Sequence, residues 1–246
     1  LVKSNATYLS YEQTGKFTSL ICNYLRKNPD VAPFFNHFPD VQGVQKTILE
    51  RKQFSTDRNL IAGVFESSYM NAGATELQSK HIQLLRNENC FTVCTAHQPH
   101  LFTGPLYFVY KILHAIRLAE DLSKLIPGHH FVPVYFMGSE DADLNELGEV
   151  KIGNNICSWK TNQTGAFGRM IVDEALLAML DETNLNAEPY GNEILQLLRD
   201  HFVIGQTIQQ PHKTKLHTYL AGKNFAGLKI GEAAKAGAWN WNCSRF

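Results

Sequence analysis

Cys94-Thr95-Ala96-His97-Gln98-Pro99-His100-Leu101-Phe102-Thr103-Gly104-Pro105-Leu106-Tyr107 decides the fold of this chain. The apolar, β-prone run Phe91–Cys94 leads into a loop that carries His97 and His100. That loop closes on Thr103-Gly104-Pro105 and opens a long amphipathic pattern. Strand, polar loop and helix N-terminus in this order build a ligand site, because the first N–H groups of a helix have no partner inside it. Pro105 suits the first helical position, where the N–H it lacks would have been unpaired anyway.

Outward from this stretch, the spacing predicts a helix from about Pro105 to Lys124. Leu106, Val109, Leu113, Ile116 and Leu122 line one side of it, and Lys111, His114, Arg117 and Asp121 another. After the turn Pro127-Gly128-His129-His130 comes Phe131–Met137, apolar on both faces, which suits a central parallel strand. Pro133 removes one ladder donor from it. Residues 91–137 therefore read as a right-handed β-α-β unit. Loops at the carboxyl ends of parallel strands border the ligand crevice. The loops 95–104 and 138–143 are accordingly expected to face one crevice.

Residues 11–90 read mostly as helices. Phe17, Leu20, Ile21, Tyr24 and Leu25 form one apolar stripe, broken at Asn28-Pro29-Asp30. Further helices are expected at 41–54 and 76–85, Asn59–Ser67 stays between patterns, and Arg86–Asn89 is a turn. Beyond the second loop, a strand or hairpin at 151–160 turns on Gly153-Asn154-Asn155. A Gly-rich loop, Gly165–Met170, precedes helices at 173–182 and 189–202, and Pro211–Phe246 shows little periodicity.

The formal net charge is zero, with 23 basic and 23 acidic residues, so no global field draws the chain to nucleic acid or an anionic membrane. No run of about 18 apolar residues offers a membrane span. The N-terminus lacks the pattern of a secretory signal, so a cytoplasmic location is expected. The five cysteines, Cys22, Cys90, Cys94, Cys157 and Cys243, are odd in number and scattered, which does not make a disulfide framework. Cys90 and Cys94 share a strand face, but no second Cys/His pair completes a zinc site. These two are expected as buried free thiols.

His97 and His100, near a helix start, suit donation to phosphate oxygens or proton transfer. Either alone reads rather as a solvent-facing loop histidine. Gln98, Thr103 and Gly104 beside them favour contact with an anion or substrate, and no metal is expected there. Glu140, Asp141 and Asp143 suit binding of an amine or hydroxyl, of Mg²⁺, or a general base. They also suit helix capping, worth roughly 0.5–2 kcal/mol. Ligand contact is expected for Glu140 and Asp141, and capping for Asp143. Lys111 and Arg117 would bind phosphate if they faced the crevice and would be solvated otherwise. Arg169 could clamp a carboxylate or phosphate with its planar fork. Tyr107, Phe108 and Tyr110 read as packing.

Thr95-Ala96-His97-Gln98-Pro99, Leu101–Tyr107 and Tyr110-Lys111 together resemble the bacillithiol biosynthesis cysteine-adding enzymes. Phe131–Asp141 looks like that family's second signature and Gly165–Met170 its third, while Asn36-His37-Phe38-Pro39 also fits. The resemblance implies an α/β fold: a Rossmann-like parallel-sheet core with an N-terminal helical segment and inserted connective segments. The expected division is a helical part at 1–90, the core at 91–210 and an atypical tail at 211–246. It further implies a cytoplasmic cysteine ligase that joins cysteine to glucosaminyl malate and so completes bacillithiol. His97, His100, Glu140 and Asp141 are then catalytic candidates, with Gln98, Thr103, Gly104, Lys111 and Arg169 on substrate or anion. Adenine nucleotide is the one cofactor associated with the family, and a long coiled coil makes its homodimers.

Two departures stand out. The family usually reads Glu-Asp-His-Asp where this chain has Glu140-Asp141-Ala142-Asp143. The resemblance also stops near Gly205–Gln210, which implies a frameshifted or prematurely ended reading frame without the coiled coil. Two other readings are a nucleotide-binding transferase of the class I synthetase type and a catalytically inactive fragment.

Overall fold

The computed structural model describes residues 7–69, 74–104, 106–152, 155–210 and 239–242, the side chains at 103, 106 and 239–242 excepted. The expected helix-opening Pro105, the turn Gly153-Asn154, Cys243 and most of the tail lie outside the described residues. Two compact units divide the chain, Leu1–Ser55 and Thr56–Phe246.

In the first unit, α1 (Ser19–Leu25) is followed by a 3₁₀ segment (Pro29–Phe34) and α2 (Val41–Arg51). The expected apolar stripe of α1 is not a core: Cys22 is buried, whereas Leu20 is 62% exposed and Phe17 precedes the helix. Aromatic packing does that work instead. The Tyr24 ring meets Phe35 at 5.0 Å and Phe38 at 5.3 Å. Lys27 lies 4.3 Å over Phe38 and pairs with Asp40 at 3.2 Å. Asp40 also caps α2 by accepting the Gly43 N–H at 2.9 Å, and this bond, followed by the one from Lys27, holds its carboxyl below the usual range.

The second unit begins with α3 (Arg58–Tyr69) and α4 (Glu76–Leu85). The former covers the ambiguous 59–67 stretch as helix, burying Ala62 and Phe65. Thr75 and Gln78 form a reciprocal capping box at the start of α4. Next come β1 (Cys90–His97), α5 (Leu106–Leu125), β2 (His130–Met137), α6 (Leu144–Leu147), β3 (Glu149–Ile152) and β4 (Asn155–Ser158). The chain continues through α7 (Glu174–Glu182), α8 (Gly191–His201) and β5 (Trp239–Asn242).

Strands β1, β2 and β5 form a parallel sheet in that order, and β3 and β4 pair as the expected hairpin. Alternation along β2 decides its two sides. Val132 and Val134, with Cys90, pack on Ala62, Phe65, Ile82 and Leu85 of α3 and α4. Tyr135 and Met137 pack on Phe108 of α5. Helices thus cover both faces, the layering of a Rossmann-like fold. The buried side of α5 runs through Phe108, Ala115, Ile116, Ala119 and Leu122; Ile116 and Leu122 belong to the predicted side, and Phe108 and the two alanines, which let the helix approach the sheet, join them.

Pro133 is tolerated in the middle strand for a geometric reason. The His130 N–H donates to Asn89 O and the Gly138 N–H to His97 O, so even-numbered amides of β2 face β1. The Pro133 nitrogen faces the other edge, where, among the described residues, β5 pairs from Val134 to Met137. Cys90 is buried but Cys94 is exposed, contrary to the expectation of buried thiols. Thr92, Cys94 and Ala96 share the face that α3 and α4 cover only at its Cys90 end.

Arg58 staples this layer together. Its guanidinium donates to the carbonyls of Leu85 (3.2 Å), Cys90 (3.0 Å) and Glu88 (3.3 Å). Arg58→Met leaves those acceptors without the ion and is expected to destabilise by about 2 kcal/mol. Urea denaturation checks this; a midpoint equal to that of the parent chain would refute the staple.

A second core lies beyond β2. Trp159, Phe167, Met170, Val172, Leu176, Leu180, Leu198 and Phe202 are buried in it, and Leu101 reaches it from the loop after β1. Asp173 caps α7 through the Leu176 N–H at 2.9 Å and accepts from Trp159 Nε1 at 2.8 Å.

Candidate functional site

Strand β1 runs three residues past the predicted end, so His97 is its last residue and not a loop residue. The His97 carbonyl accepts from the Gly138 N–H at 3.0 Å and from Tyr135 Oη at 3.1 Å. Its ring is 8% exposed, stacks on Phe108 at 5.4 Å and lies 5.1 Å from Tyr107. His97 Nε2 is buried without a hydrogen-bond partner among the described residues. Burial, helped by repulsion from His100 and Lys111, pushes this imidazole down to about 4. The group is therefore neutral near pH 7.

His100 sits against His97, ring centroids 4.6 Å apart, and burial lowers its pKa too. It does not line the cleft described below. Gly104 has φ +68° and ψ −162°, and a Cβ there would lie 2.6 Å from His100 Cβ. Only glycine closes the loop in this way. Phe102 takes a left-handed conformation (φ 51°) and sets its ring edge-on to Phe202 at 5.4 Å. Leu101 and Phe102 thus anchor the loop in the second core. Thr103 contributes its backbone to the short 3₁₀ turn.

At the carboxyl ends of β1 and β2 lies an open cleft of about 500 Å³. His97 and Gln98 border it from β1, Lys111 from α5, and Gly138 to Asp141 from the loop after β2. The two loops do face one crevice, as their order predicts. Gln98 Nε2 donates to Asp141 Oδ2 across it at 3.3 Å, and Lys111 Nζ donates to the Ala96 carbonyl. Arg169 pairs with Glu140 at 2.7 Å, so its fork holds a side chain of the same loop. Gly168 packs so closely on Ser139 that a Cβ would meet its carbonyl oxygen at 2.6 Å.

Arg117 is taken up by Asp121 at 2.9 Å, the solvated alternative for that residue. Asp143 caps α6 through the N–H groups of Asn145 and Glu146, as expected. Ala142 is buried in the second core. Sequence reasoning missed Ser139, 1% exposed with its hydroxyl 3.3 Å from Glu140 Oε1, although it lies inside a quoted signature. It also missed Phe136 as a cleft wall. Phe108 is buried packing behind His97, as read, whereas Tyr107 and Tyr110 are exposed because they face away from the sheet.

Residues 5–220 match the family described as bacillithiol biosynthesis BshC, N-terminal Rossmann-like domain. That match runs past Gln210, so the resemblance does not stop at Gly205–Gln210 as expected from the sequence. The chain is 38% identical over 165 residues to the "Putative cysteine ligase BshC" of Flavobacterium psychrophilum, covering 66% of this chain and 31% of that protein. Proteins of the same name match from Flavobacterium johnsoniae (34% over 234 residues; 93% and 43%) and Christiangramia forsetii (33% over 201; 80% and 37%). The chain thus spans from about a third to under half of the length of these curated relatives. Among the described residues, no helix is long and apolar enough to cross a membrane. With parallel sheet, both crevice loops and a match over most of its length, the chain belongs to the bacillithiol biosynthesis BshC family.

Proposed function

We propose that this chain supplies the substrate cleft of an enzyme that joins cysteine to glucosaminyl malate, the step that completes bacillithiol. The observation that carries the reading is one crevice holding Lys111, Gln98, Glu140 and Asp141 at the ends of adjacent parallel strands. Groups of both charge signs there suit substrates that bring carboxylates and an amine. His97, neutral and buried, borders the cleft as a donor or acceptor, with His100 packed behind it.

Purified chain, and in parallel the full-length Flavobacterium johnsoniae relative, are incubated with cysteine and glucosaminyl malate. Mass spectrometry then looks for bacillithiol, with and without ATP. Bacillithiol from both supports the proposal. Product from the relative alone identifies the shorter chain as catalytically inactive, and product from neither refutes the assignment. A transferase of the class I synthetase type is the second reading, favoured by crevice loops at the carboxyl ends of a parallel sheet. ATP-dependent pyrophosphate release without bacillithiol would select it.

A further inference from the structure

We infer that this cleft takes the cysteine, bound as a zwitterion with its α-ammonium on Asp141 and its α-carboxylate on Lys111, and not the sugar. The inference rests on the function proposed above and assigns one of its two substrates to a place.

Charge bookkeeping inside the cleft carries it. Glu140 is neutralised by Arg169 at 2.7 Å. Lys111 and Asp141 have only uncharged partners among the described residues: the Ala96 carbonyl for one, the Gln98 amide for the other. His97 is neutral and adds no third charge. One cation and one carboxylate therefore remain uncompensated on different walls of the same cleft. A ligand with a single charge would leave one of them unanswered, and a zwitterion answers both.

The remaining walls agree with a small side chain. Ala96 and Phe136 line the cleft with apolar surface. A short CH₂–SH group loses nothing against them. The hydroxyls of a hexose would face two walls without hydrogen-bond partners, which is unfavourable for each group buried.

The test is calorimetric titration of the full chain with L-cysteine, cysteamine (no carboxylate) and 3-mercaptopropionate (no ammonium). Cysteine is expected to bind at least about tenfold more tightly than either analogue. In Lys111→Met, cysteine and cysteamine should bind alike; in Asp141→Asn, cysteine and 3-mercaptopropionate should. Lys111→Arg and Asp141→Glu should restore part of the discrimination. Circular dichroism confirms that each variant is folded, and the analogue series on the unaltered chain decides the question even if one is not. Equal affinity for all three probes there overturns the inference. Bacillithiol formation combined with equal affinities would sink this assignment and leave the proposed function standing. Absent bacillithiol, with the same charge dependence for L-cysteine and L-serine, would sink the function and leave the zwitterion site.

Discussion

Lowering the pH from 6.5 to about 4 is expected to destabilise the protein by about 3 kcal/mol through His97. In the unfolded chain the imidazole takes up a proton below 6.5, whereas the buried ring resists protonation until about 4. The unfolded state therefore binds more protons throughout that window. Full stability is present above it and is lost as the pH falls. Asp173 acts in the same direction but lower on the scale. Burial alone would raise its carboxyl, but hydrogen bonds from Leu176, Trp159, Thr161 and Gln163 outweigh that and hold it below 3.8. Its contribution is present above the unfolded value and disappears only as the pH drops through the lower, folded one. Urea midpoints measured across the window separate the two. His97→Phe keeps an aromatic ring in the stack and should flatten the slope between 6.5 and about 4. Parallel slopes in parent and variant would show that another group is responsible.

Phe167→Ala is expected to cost about 4 kcal/mol, the range for emptying a fully buried aromatic site. Phe167 is 0% exposed and meets the Trp159 ring edge-on at 6.0 Å. Its backbone also ties down the cleft. The Phe167 N–H donates to Ala142 O at 2.9 Å, and the Gly168 N–H to Ser139 O at 3.1 Å. A second result should therefore accompany the drop in thermal midpoint: weaker binding of small ligands at Asp141, although Phe167 does not line the cleft. Phe167→Leu, which removes less volume, should fall between parent and alanine variant on both scales. An unchanged midpoint in Phe167→Ala would contradict the packing described here.

Strong local patterns were the legible part. Helix α4 matches its predicted bounds, and β2 and α5 match to within about a residue, because periodicity and turn residues agree there. The meeting of the 95–104 and 138–143 segments at one crevice followed from the order of parallel strands, although only Ala96, His97 and Gln98 of the first segment reach it. The end of β1 was hidden because Thr95-Ala96-His97 carries no apolar alternation; its pairing with β2 extends it. Helix α1 looked amphipathic, yet a seven-residue helix buries little and its unit is held by the aromatic contacts of Tyr24. Arg169 beside Glu140 was beyond reach for a different reason. That pair needs two loops brought together by Gly168 against Ser139, a contact with no local signature.

The carbonyl of His97 accepts two donors from β2 and the turn after it, the Tyr135 hydroxyl and the Gly138 amide. Both would have to break before the strand ends could separate under the cleft. Induced fit is thus confined to the rim: the Gln98 and Asp141 side chains, joined by one exposed bond, and the flexible stem of Lys111. A ligand is measured against a fixed floor by movable walls. Selectivity between near-isosteric ligands then falls to where those walls place their charges, with the depth of the cleft held constant.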